Sequence, residues 1–191
     1  GLKELRLLNW QPPSFEPGGV NALILTHAHI DHSGYLPKLV RDGFRGPIYC
    51  TEATAELAEL MLLDAAHLQE EDAEFANRRG FSKHKPALPL YTVADAQQAL
   101  RLLSPVAYGD WITLGDEFRA RFANAGHILG SAHVEMEAPA EGRTRRFEID
   151  VRFVVRCPAD ATGAWHAITV ELDGRRHWQR RCSSHRLVSG S

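Results

Sequence analysis

At 191 residues, 44% hydrophobic and 24% charged with a formal net charge of −2, the chain carries enough apolar content for one sizeable core, which excludes a disordered polymer. No apolar stretch approaches the roughly 18 residues of a membrane span, and the start has no signal-peptide core. Cys50, Cys157 and Cys182 are an odd, scattered set without a CxxC pair, which excludes a disulfide scaffold or zinc ribbon and fits a reducing, cytoplasmic setting.

Gly1 stands where an initiator Met would, so the natural start is expected further upstream. Pro12, Pro13, Pro17, Gly18 and Gly19 form a loop that feeds an apolar strand at residues 20–25. A short helix is predicted over 34–41, ending near Gly43, and a second strand over 47–50. Thr51 or Thr54 caps a long helix with Leu57, Leu60, Met61 and Leu68 on one face. That helix becomes acidic through Glu70, Glu71, Asp72 and Glu74, then breaks at Gly80 ahead of a loop over 83–89. Residues 92–95 are a capping box opening a helix with Ala96, Ala99, Leu100 and Leu103, closed by Pro105. The period then changes to strands over 111–114, 118–122 and 132–136, with turns at Gly109, Gly115 and Gly130.

Chemistry concentrates between the first strand and the first helix, in His27-Ala28-His29-Ile30-Asp31-His32. At this composition HxHxDH arises by chance on the order of once in a thousand shuffled chains, so a metal site is the better reading than scattered structural histidines. Neutral imidazole suits zinc and its neighbours, and His27 and His29, two apart, can face one ion while Asp31 and His32 face another direction. Two cations within about 4 Å would share a bridging water, lower its pKa and deliver hydroxide to a phosphorus or carbonyl centre.

The motif over 26–34, THAHIDHSG, resembles the signature of the metallo-β-lactamase fold, and AGHILGSA over 125–132 resembles that fold's next metal motif in the version typical of β-CASP nucleases. Between them, residues 63–72 and 80–91 are similar to bacterial members related to the RNA 3′-end processing endonuclease, and Gly1-Leu2-Lys3 and Asn9-Trp10 to the segment after the family's first strands. The resemblance covers about residues 1–150. It implies an α/β fold, a partial metallo-β-lactamase αβ/βα sandwich of two β-sheets with outer helices, whose first strands lie upstream of Gly1.

The same resemblance implies two zinc ions, one held by His27, His29 and His127 and the other by Asp31 and His32. The aspartate expected to bridge them follows a strand in a Ser-Gly-Asp context. Asp150 falls at that place after the strand-like Arg145-Arg146-Phe147, but with Glu-Ile in place of Ser-Gly, so a plain surface aspartate stands as the alternative. His133 reads as structural, His67 as a helix-face histidine and His84 as a loop histidine, with substrate contact the lesser reading for the last two.

Nothing of the family is legible from Val151 onward, including the inserted β-CASP domain and the last histidine ligand, so residues 151–191 are expected to be a divergent Arg-rich tail. Residues 1–142 hold 12 Lys+Arg against 19 Asp+Glu and residues 143–191 hold 10 Arg against 5 acids, −7 and +5, together the stated −2. Two readings stand for the tail. It is an RNA-binding patch with Trp165 and Trp178, or a junction or frame slip, which the abrupt Arg-only shift favours. Residues 168–172 with Asp173-Gly174 have the pattern of a hairpin. A further metal site from His177, Cys182 and His185 is poorly supported by its sparse spacing.

The function implied by the resemblance is zinc-dependent hydrolysis of single-stranded RNA phosphodiesters by a metal-bound hydroxide, with Asp31 orienting the water and the metals stabilising the developing charge. Two other readings remain open: an ester or thioester hydrolase of the same fold, and a catalytically inactive fragment whose second metal lacks a ligand.

Overall fold

The computed structural model describes residues 8–114, 118–140, 143–149, 167–172 and 175–181. The chain divides into two compact units, one of Asn9–Pro105 and the other of Gly1–Leu8 with Val106–Ser191.

The first unit is built on a short parallel sheet in the order β1 (Leu23–Ile24), β2 (Ile48–Cys50), β3 (Leu103–Pro105). Leu23 pairs with Ile48 and Ile48 with Leu103. The apolar run at 20–25 thus forms a ladder only over two residues, although the Leu25 amide still donates to the Tyr49 carbonyl at 2.8 Å. Parallel pairing needs crossovers, and helices supply them. α1 (Ile30–Ser33) and α2 (Leu36–Arg41) lie between β1 and β2; α3 (Glu52–Arg79) and α4 (Val93–Leu100) lie between β2 and β3. The helix expected over 34–41 is therefore two pieces, starting earlier, at Ile30. Leu25, Ala28, Leu39, Val40, Phe44, Ile48, Leu62, Tyr91, Ala96 and Ala99 belong to the buried core. Cys50 is part of it, and burial pushes its thiol up to about 12, which leaves it protonated at neutral pH.

The helix caps follow the sequence expectation. Thr51 Oγ1 accepts the Thr54 amide at 3.2 Å to start α3, and Gly80 ends it in the left-handed region at φ 68°, a conformation that costs glycine nothing. Thr92 and Asp95 form the reciprocal capping box of α4, at 3.2 Å and 2.9 Å. Two expectations fail. The buried stripe of α3 is Thr54, Ala58, Leu62 and Ala66, while Leu60 and Leu68 face solvent. A repeat of four with small residues at three of four places lets the helix approach the core closely; Leu57 and Met61 are partly buried against that core. Leu103 is not in α4. The helix stops at Leu100, and Leu103–Pro105 joins β2 as an edge strand, where proline's missing N–H is tolerated.

The second unit holds a six-stranded antiparallel sheet in sequence order: β4 (Ile112–Leu114), β5 (Phe118–Asn124), β6 (Ala132–Ala140), β7 (Arg143–Ile149), β8 (Ala167–Leu172) and β9 (Arg175–Arg181). Period-two alternation buries Ala120, Phe122 and Val134 on one face. The other carries cross-strand ion pairs, Arg121 with Glu135 at 2.6 Å and Arg119 with Glu137 at 3.9 Å, with both guanidiniums over the Trp111 ring at 4.8 Å and 4.6 Å. The hairpin expected near residue 170 is present as β8 paired with β9, with Asp173 and Gly174 outside the described residues. Gly115 and the Trp165, Cys182 and His185 readings also lie outside them.

Candidate metal centre

β1 and β2 run parallel, so the chain leaving Ile24 emerges at the carboxyl edge of the sheet, where α/β folds place their ligand sites. Thr26 and His27 are buried there, His29 is half-buried, and the chain turns into α1 with His29 at its N-cap. The expected strand-to-helix junction is thus where the motif sits. Ser33 Oγ ties this turn together by donating to the Ala28 carbonyl at 2.9 Å and to that of His29 at 3.1 Å. Gly34 has a steric reason: a Cβ there would lie 2.4 Å from the Ile30 carbonyl oxygen.

The turn packs two imidazoles around that of His27. Its ring centroid lies 4.9 Å from that of His29, nearly edge to face at 81°, and 4.0 Å from that of His32. A ligand nitrogen of His27 and one of His29 lie within 4.8 Å of each other, so a small side-chain adjustment lets both reach one ion at about 2.0–2.1 Å. Asp31 is exposed, and its carboxylate reaches His32 Nε2 at 3.5 Å. Neutral imidazole and carboxylate are ligands that zinc and similar divalent ions accept, so this set fits a metal.

Thr26, the first residue of the motif, has a role its spacing does not announce: its Oγ1 lies 3.1 Å from His27 Nδ1, inside the protein. A hydrogen bond at Nδ1 assigns the ligand role to Nε2 and holds the ring, the arrangement usual for metal-bound histidines. The signal in the sequence is that a hydroxyl residue opens the motif, directly before the first histidine.

His127 is presented by the second unit, in the loop between β5 and β6, and is exposed. Buried Ser131 organises that loop: its Oγ accepts the amides of His127 at 3.0 Å and Ile128 at 3.1 Å. Its backbone carbonyl accepts the Ala125 amide at 3.1 Å and the Tyr108 hydroxyl at 2.9 Å. A serine four residues after a loop histidine is the sequence signal for such a turn, though it specifies no chemistry. His133 lies in β6, opposite Ala123. His67 is a helix-face residue with Glu71 at 3.4 Å, and His84 lies in the exposed loop after α3. Asp150 lies outside the described residues. Among the described residues no helix is long and apolar enough to cross a membrane.

Several known proteins are similar to this chain. Ribonuclease TTHA0252 of Thermus thermophilus is 40% identical over 151 residues, 79% of this chain and 30% of that protein. Transcription termination factor FttA of Cenarchaeum symbiosum is 34% identical over 134 residues, 70% of this chain and 19% of its own length. The chain therefore spans less than a third of the length of these two relatives. Among solved structures, a subclass B3 metallo-beta-lactamase of Bradyrhizobium japonicum matches with 21% identity and a TM-score of 0.40, over 69% of this chain and 41% of that one. The family model of the metallo-beta-lactamase superfamily matches residues 11–137, which contain both histidine motifs, and the chain belongs to that superfamily.

Proposed function

We propose that this chain carries the metal-binding part of an RNA-cleaving hydrolase of the β-CASP type, working with zinc in a reducing cytoplasm. The observation that carries the reading is the convergence of His27, His29 and His32 in the turn between β1 and α1. The ribonuclease name of the Thermus thermophilus relative supports RNA as substrate, and the half-buried to buried histidine donors support a borderline metal such as zinc.

In this reading, which takes its ligand set from the family resemblance, His27, His29 and His127 are the ligands expected for one ion and Asp31 and His32 those for the other, with Asp150 as the aspartate expected to bridge them. A divalent ion held by these residues would supply Lewis acidity toward water and positive charge opposite the phosphate oxygens. The protein's own side chains do the rest. Thr26 orients His27 through Nδ1. Asp31, whose exposed carboxylate lies 3.5 Å from His32 Nε2, would orient the water. Ser131 holds the loop that carries His127.

The test is cleavage of a labelled single-stranded RNA by zinc-loaded protein, alongside the His29→Ala variant and metal analysis of both after dialysis. The expected result is cleavage by the parent, with loss of cleavage and of bound metal in the variant. Undiminished cleavage by His29→Ala overturns the proposal.

A further inference from the structure

The charge of α3 reverses along its length. Glu70, Glu71, Asp72 and Glu74 are followed by twenty residues, 75–94, without one acid, carrying Arg78, Arg79, Lys83, His84 and Lys85 in a chain whose net charge is −2. Arg78 and Arg79 occupy the last helical turn, where they complement the dipole; Lys83 and Lys85 lie beyond it, in the loop over 81–89, where the dipole does not account for them. Among the described residues no carboxylate forms an ion pair with any of these four cations.

Two phenyl rings stand among the charges. Phe75 is 45% exposed and Phe81 65%, their centroids 5.8 Å apart at 63°. Arg79 and Arg78 sit over Phe75 at 5.6 Å and 6.0 Å, while Phe81 meets Phe75 in the T-shaped pair. The loop presenting Phe81 is clasped to the helix: Asn77 Nδ2 donates to the Ala87 carbonyl at 2.9 Å, and Ala87 N donates to Asn77 Oδ1 at 2.7 Å. Further along, the Leu90 amide donates to Gln69 Oε1 at 3.2 Å. The surface is thus held in shape before anything binds.

Cations interleaved with exposed aromatic rings match a flexible chain of phosphates that also offers planar groups to stack. A protein partner fits less well, because lysine is depleted from the buried centres of protein interfaces. We propose that Arg78, Arg79, Lys83 and Lys85 bind the phosphates of single-stranded RNA while Phe81 stacks against a base. The choice of RNA as the polymer rests on the RNA-cleaving function proposed above; the phosphate and stacking chemistry rests on this surface alone.

Fluorescence anisotropy of a labelled oligouridylate on the full chain tests this, with melting temperature as the control for folding. Four phosphate contacts predict a slope of log affinity against log salt of about −3, and Lys83→Gln with Lys85→Gln halves it while weakening binding roughly tenfold. Phe81→Ala weakens binding roughly tenfold at unchanged slope, and Phe81→Trp restores it with quenching of the new fluorophore on binding. Binding within twofold of the parent in both the double-lysine and Phe81→Ala variants overturns the proposal. So does equal affinity for inorganic polyphosphate with Phe81→Ala inert. RNA bound with this variant pattern but not cleaved leaves the surface standing and removes the hydrolase reading. RNA cleaved with affinity indifferent to the variants does the reverse.

Discussion

Thr26→Val separates a residue that orients a metal ligand from one that merely packs. Thr26 and His27 are 4% and 7% exposed, and the change keeps the branched shape while deleting the oxygen 3.1 Å from His27 Nδ1. Without metal the imidazole can place its proton on either nitrogen, so the loss is one neutral hydrogen bond, about 1 kcal/mol of folding stability. With metal on Nε2 the proton is confined to Nδ1, and the ring loses the acceptor that fixed its angle. Removing such a partner costs about 10- to 100-fold in metal affinity, or roughly 1.4–2.7 kcal/mol. The assay is competition for zinc against a fluorescent chelator, with calorimetric melting of the metal-free protein beside it. Thr26→Ser keeps the oxygen and should keep the affinity. A zinc affinity for Thr26→Val within twofold of the parent, with the melting temperature lowered, would show that the hydroxyl serves the fold alone and refute the orientation argument.

Ser131→Ala removes the acceptor of the His127 and Ile128 amides, so hydrogen exchange at those two amides should accelerate and stability fall by about 1–2 kcal/mol; unchanged exchange at both would remove Ser131 from its place as organiser of the loop. The stripe of α3 is checked by a pair of truncations in urea. Leu62→Ala, at a fully buried position, should cost about 2–5 kcal/mol, whereas Leu60→Ala, 68% exposed, should stay within about 0.5 kcal/mol, and equal costs would contradict the observed face.

What depends on neighbours along the chain is already legible in the order of residues. His27, His29, Asp31 and His32 are adjacent, so any chain leaving a strand there brings their donors together, and the caps at Thr51, Gly80 and Thr92 are satisfied by groups within four residues. Tertiary structure decided what depends on distant partners. Leu103 leaves the helix pattern because Ile48, 55 positions away, offers a ladder, and Thr54, Ala58 and Ala66 face inward with Leu62, in place of Leu60 and Leu68, because close approach favours a stripe made mostly of small side chains. The cationic surface after α3 exists because Asn77 clasps Ala87, a pairing ten residues apart that no motif announces. Local spacing specifies which atoms can share an ion, but a hydrogen bond between residues far apart in sequence exists only once folding has closed the loop between them.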